Sequence, residues 1–284
     1  MKRIVFLMII LLCVSPLVAK ENENIKGYTG LYMGHSFFKP CVKQLEKIVS
    51  GTSIKGHKQY AVTSGGPKGS PKLLWKDPKR SLEAKKYLDT GKVDLLVMTY
   101  FSREDSAVEH YSKWFDYAIS KNPNVTFMLT IPWSTRLHKA SKEKLNELKR
   151  NSGQGMHDSL VALLRKKYPK NKVLFCPYGL GTYELIDRFN DGKLPGVKYL
   201  LDKDRKRRVK NLLKQESLLK DETSHPNSLV AKVGALLWLQ TLYDYDLSKL
   251  KDQNIKQLPN INVKDIAEKV SKQIKPFNAV YKGK

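Results

Sequence analysis

The chain has 284 residues, with 52 Lys and Arg against 27 Asp and Glu and a formal net charge of +25. Three cysteines exclude a disulfide-stapled scaffold, and no His or Cys cluster has metal-ligand spacing, so no metal or cofactor is expected. The positive excess raises the local concentration of anionic partners.

The chain opens on a segment that reads as a secretory signal, residues 1–19. Lys2 and Arg3 are a short basic start, Ile4 to Val14 is an unbroken apolar run, Ser15-Pro16 ends it, and Ala19 suits a cleavage point. The run is shorter than the roughly 18 residues that span a bilayer, so stable membrane insertion after signal removal is not expected. The expected location is secreted or periplasmic. An exported protein rarely meets nucleic acid, which leaves anionic polysaccharide or a cell surface as the partner class. No low-complexity linker divides the rest, and residues 20–250 read as one domain large enough to bury its own core.

Short apolar strands then alternate with longer amphipathic helices. Strands are predicted at 28–33, 58–63, 93–100, 124–131 and 172–176. Helices are predicted at 37–49, 80–88, 107–120, 180–189, 203–213 and 228–243. Residues 142–167 read as one helix or two, with Gly153 and Gly155 as candidate breaks. Residues 64–71, rich in Gly, Ser and Pro, read as a loop running on to Trp75-Lys76-Asp77. Residues 251–284 read as a polar tail in which 263–274 has a helical pattern. Near-continuous apolar strands between helices predict an α/β fold: a three-layer α/β/α, flavodoxin-like doubly wound parallel sheet of about five strands. In such a sheet the site lies beyond the carboxyl ends of the strands.

Two segments at that edge can carry chemistry. Gly34-His35-Ser36-Phe37 joins the first strand to the first helix. A serine there has its hydroxyl at the sheet edge and its N–H at a helix N-terminus, which favours an oxyanion. It is also a preferred helix cap. Asp221-Glu222-Thr223-Ser224-His225-Pro226-Asn227 precedes the last long helix. An acid shortly before a histidine can orient its ring, and the histidine can then take a proton from a serine.

With both blocks in view, the chain resembles the SGNH/GDSL hydrolases from about Gly27 to Tyr245, through LYMGHSFF and DETSHPN. The resemblance implies a flavodoxin-like domain and a serine esterase that commonly deacetylates carbohydrate. Ser36 would be the nucleophile and His225 the base. Strict spacing selects Glu222 as the acid and residue type selects Asp221, which is preferred because a one-residue loop insertion is easily absorbed. The family's asparagine oxyanion donor should follow the third strand, where Thr99-Tyr100-Phe101-Ser102 stands instead. A glycine after the second strand, Gly65 or Gly66 with Gly66 preferred, would supply an oxyanion N–H. The candidate substrate contacts are His35, Thr99, Trp75 and Trp133. His57, His110 and His138 lack an acid partner in the sequence.

The expected substrate is an acylated carbohydrate or anionic polysaccharide. For the latter, Lys39, Lys68, Lys72, Lys76, Arg103 and Arg136 should ring the mouth above Ser36. The rival reading is a catalytically weak protein of the same fold that binds polyanionic glycan. A phospholipase or thioesterase would need a long apolar groove, and the strand-end loops are polar and basic. Cys41 and Cys176 are either buried thiols or a single bridge.

Overall fold

The computed structural model describes residues 24–202, 216–251 and 261–281. The signal segment 1–19 and the helix expected at 203–213 lie outside the described residues. The first strand, β1 (Thr29–Gly34), is followed by α1 (Phe38–Val49), β2 (Lys58–Thr63), α2 (Pro71–Lys76), α3 (Pro78–Leu88), β3 (Leu95–Thr99) and α4 (Val108–Lys121). Then come β4 (Thr126–Thr130), α5 (Lys142–Arg150), α6 (Ala162–Lys167), β5 (Val173–Cys176) and α7 (Gly179–Asn190). A short strand pair, β6 (Tyr199–Leu201) and β7 (Ser217–Leu219), precedes α8 (Ser228–Tyr243) and α9 (Val263–Ile274).

Five strands form a parallel sheet in the order β2-β1-β3-β4-β5. Every residue of β3, β4 and β5 is buried, because helices cover both faces. The alternation along the strands sorts the side chains cleanly. Tyr32, Leu95, Val97, Met128 and Leu174 face one core with α1, α7, α8 and α9. Leu31, Met33, Leu96, Phe127 and Phe175 face the other, with α2, α3, α4 and α6. The result is the expected three-layer α/β/α domain.

α8 is buried on nearly every side, as a helix that is apolar all round must be. It lies against α1, α7, α9 and β5. In the segment expected to be a polar tail, Val263, Ile266, Ala267, Val270 and Ile274 of α9 join that core.

Two local features differ from expectation, and one open alternative is resolved. Residues 71–76 form α2 and not a loop: Ser70 Oγ accepts the Leu73 N–H and Pro71 takes the first turn. Residues 151–161 do not break the helix; they widen it into π-wound turns that link α5 to α6. The parallel β6–β7 pair, absent from the sequence reading, sets up the histidine loop.

Candidate active site

β1 ends at Gly34, and the carbonyl of His35 accepts the N–H groups of Phe38 and Lys39 to begin α1. Ser36 therefore sits at the carboxyl edge of the sheet, half-buried. Its hydroxyl is not occupied in capping: the N-cap is Phe37, with no side-chain capping bond. Ser36 Oγ lies 2.8 Å from Nε2 of His225 instead.

His225 arrives from β7. Lys220 N–H donates to the His225 carbonyl at 2.8 Å, and Ser224 N–H donates to the Asp221 carbonyl at 2.8 Å, which closes a tight turn between acid and histidine. His225 Nδ1 is 2.8 Å and 3.0 Å from the two carboxylate oxygens of Asp221. The His225 backbone N–H also reaches Asp221 Oδ1, at 3.3 Å. Glu222 is exposed. Asn227 anchors the far side of the loop by donating to Ser217 O at 3.0 Å and Ser217 Oγ at 2.6 Å. With the neutral imidazole donating from Nδ1 to Asp221, Nε2 is left to accept the Ser36 hydroxyl proton. A hydroxyl so placed can be activated as a nucleophile, and the carboxylate can stabilise the imidazolium that results.

His35 lies behind the serine at 4 % exposure. One ring nitrogen donates to the Tyr100 carbonyl at 3.1 Å and the other accepts the Phe37 N–H at 3.3 Å. Burial lowers its pKa to about 4, so the ring is neutral and ties the serine loop to the loop after β3.

Several expected contacts are corrected by burial. Thr99 is 1 % exposed and hydrogen-bonds to Thr130 O, and His35 is enclosed as described; neither can present its side chain to a substrate. Trp133 is 2 % exposed, stacked on Phe37 at 5.1 Å, with its N–H donated to Ser224 O. Trp75, by contrast, belongs to α2 and is half-buried, with Lys85 Nζ 4.3 Å over its ring and Trp114 packed edge-on at 4.8 Å. The glycine turn after β2 meets the serine loop at Gly69. A side chain on Gly66 would meet nothing within 4 Å, whereas a Cβ on Gly69 would fall 2.6 Å from Gly34 O and from His35 Cα. Gly69 is the glycine packed against the serine loop. Of the basic residues expected at the mouth, Lys72 pairs with Glu104 and Asp105, and Lys39, Lys68, Lys76, Arg103 and Arg136 are exposed.

The sequence reading did not single out Phe37, Phe101 or Ser224. Phe37 presents its face to Trp133 and meets the His225 ring edge-on at 5.0 Å. Phe101, 36 % exposed, meets His35 edge-on at 5.7 Å and takes the place where the resembled family has its asparagine block. The aromatic doublet after Ser36 was the one signal available for Phe37. Among the described residues no group of three His, Cys, Asp or Glu side chains is gathered for a metal ion. Cys41 and Cys176 are buried free thiols.

No protein-family model matches the chain, and no curated protein does. Among solved structures, a DUF4886 family protein from Bacteroides uniformis ATCC 8492 superimposes with a TM-score of 0.53 at 13 % identity, over 92 % of this chain and 96 % of that one. The periplasmic domain of a lipopolysaccharide acetyltransferase from Salmonella ser. Paratyphi A gives a TM-score of 0.37 at 12 % identity, over 55 % of this chain and 70 % of that one. The first likeness is one of fold, extending over almost the whole of both chains.

Proposed function

We propose that the chain is an exported serine esterase of the SGNH/GDSL type that removes acyl groups, acetyl foremost, from carbohydrate. The observation that carries the reading is the unbroken line from Ser36 Oγ through His225 to the Asp221 carboxylate, with 2.8 Å at each step. In this mechanism Ser36 Oγ attacks the acyl carbonyl while His225 Nε2 takes its proton. The oxyanion forms at the start of α1, where the Ser36 N–H is one donor and the glycine turn after β2, Gly66 foremost, supplies the other. The intermediate collapses, and His225 returns the proton to the departing sugar oxygen. Water then attacks the acyl-serine, His225 takes its proton, and the acid leaves with Ser36 restored. Asp221 orients the ring and balances its positive charge throughout. The net charge of +25 favours an acidic polysaccharide as carrier of the ester, and an apolar run at residues 4–14 supports export. Among the described residues no helix is long and apolar enough to cross a membrane.

A glycan-binding protein of weak activity is the second reading, favoured by the Tyr100-Phe101 pair where an asparagine donor would stand. Loss of one such donor can cost about 2.7–4 kcal/mol of transition-state stabilisation. The experiment that separates them is fluorophosphonate labelling of wild type and Ser36→Ala, with acetate release from acetylated polysaccharide measured alongside. Label on Ser36 and release that vanishes in the variant support the esterase. Folded wild type that takes no label and releases no acetate, yet retains glycan, gives the second reading.

A further inference from the structure

The loop between acid and histidine is one residue longer than in the resembled motif, and its closure depends on Ser224. That residue is fully buried with φ +76°, a backbone conformation that side-chain-bearing residues rarely adopt. Three hydrogen bonds engage all of its polar groups. Its N–H donates to Asp221 O at 2.8 Å, its carbonyl accepts the Trp133 ring N–H at 2.8 Å, and its hydroxyl accepts the Leu137 N–H at 3.0 Å. Two of the three partners come from the loop after β4, not from the histidine loop itself. Arg136, immediately before Leu137, is also left-handed at φ +56°, so the backbone departs from ordinary geometry on both sides of the contact.

Trp133 links this turn to the serine. Its ring stacks on Phe37, the residue after Ser36, at 5.1 Å and 8° between planes, and Tyr178 packs edge-on behind it at 5.7 Å. One rigid side chain thus touches the neighbour of the nucleophile with its face and the neighbour of the histidine with its N–H. We infer that Trp133 and Ser224 are positioning residues: a clamp that absorbs the extra loop residue and holds Asp221 against His225 Nδ1 while Nε2 faces Ser36. The inference rests on the serine-esterase reading for its purpose, but not for its geometry. A plain filling role for Trp133 would need neither the N–H bond nor the left-handed serine it secures.

The test uses two variants of the full exported chain. Trp133→Phe keeps an aromatic ring on Phe37 and removes the N–H; Ser224→Gly keeps the left-handed turn and removes the hydroxyl. Two readouts are taken on each. One is the second-order rate of labelling by a fluorophosphonate. The other is the proton resonance of His225 Nδ1–H, deshielded by its carboxylate acceptor and assigned by its loss in Asp221→Asn. The expected result is labelling slowed about 100-fold in Trp133→Phe, the scale on which small misplacement costs rate. The resonance should broaden or vanish in both variants while melting stays close to wild type. A folded Trp133→Phe that labels at the wild-type rate and keeps the resonance overturns the clamp. So does a variant that merely melts earlier, with both readouts intact below its transition. Where Trp133→Phe fails to fold, Ser224→Gly decides by the same two readouts. If wild type takes no label but shows the resonance, and both variants lose it, the clamp stands and the esterase reading falls.

Discussion

Gly69→Ala is the sharpest test of how the serine loop is held. An ideal Cβ at Gly69 lies 2.6 Å from Gly34 O, from His35 Cα and from His35 Cβ. None of these atoms is the free end of a flexible side chain. Two are backbone, and the third is the root of a ring hydrogen-bonded at both nitrogens. Relief therefore requires movement of the backbone turn after β2 or of the strand end itself. Such overpacking costs about 1–3 kcal/mol, which for a domain of this size lowers Tm by roughly 2–12 °C. The strand end it displaces is joined directly to Ser36. A displacement approaching 1 Å should slow fluorophosphonate labelling by about 100-fold. Gly66→Ala is the control, three residues away on the same turn. It has φ +49° with nothing within 4 Å of the added methyl, so its cost is the backbone alone, about 1 kcal/mol, with labelling close to wild type. Differential scanning calorimetry and labelling kinetics on the pair are sufficient. If Gly69→Ala melts and labels as wild type does, the close approach does not constrain the serine loop.

Asp221→Asn should lower acetate release and labelling well below Glu222→Gln, which should resemble wild type, because it is Asp221 whose carboxylate meets the His225 ring while Glu222 is exposed; equal losses would refute the assignment. His35 has its pKa lowered to about 4 by burial and His57 likewise to about 4, so the unfolded chain binds more protons than the folded one between about 6.5 and 4. Stability should therefore fall as the pH drops through that window, and the slope measured by urea unfolding should flatten in His35→Asn. Burial raises the thiol pKa of Cys41 and of Cys176, the latter to about 12, so a thiol reagent should find neither group in native protein and both after denaturation.

The sheet was legible because it is buried on both faces. The runs within residues 95–99, 126–130 and 173–176 carry no charged residue and are too short for helices, and the bounds read for Lys58–Thr63 and Val263–Ile274 match those of the structure. What escaped notice lacks such a pattern. α2 hides in a stretch so dense in Gly, Ser and Pro that Ser70-Pro71 reads as more loop, although that pair is itself a helix start. β6 and β7 have three residues each, too few for alternation to register. Gly153 and Gly155 leave one helix or two open in the sequence, and the chain widens its helix across them.

The site divides along the same line between local and distant causes. Ser36 and His225 are visible because each stands in a short segment whose neighbours announce a strand end or a helix start. Asp221 was chosen by chemistry against the motif's spacing, and the reason the spacing can slip is a dihedral angle: Ser224 turns left-handed, and the extra residue is absorbed before His225. No property of serine signals that angle in advance. The tryptophans mislead for the opposite reason. An aromatic residue after a strand reads as a platform for a sugar, yet whether its face is open depends on what arrives from elsewhere. For Trp133 that is Phe37 and Tyr178; for Trp75 it is Lys85 and Trp114. The exposed aromatic ring packed against the serine loop is Phe101, on the loop where the asparagine donor is missing. An aromatic side chain there supplies a surface for a sugar ring or an acyl group but no hydrogen-bond donor. On the proposed esterase reading, that loop would exchange oxyanion stabilisation for substrate contact. Phe101→Ala should accordingly raise KM for an acetylated glycan more than it lowers kcat, and a selective loss of kcat would argue against that role.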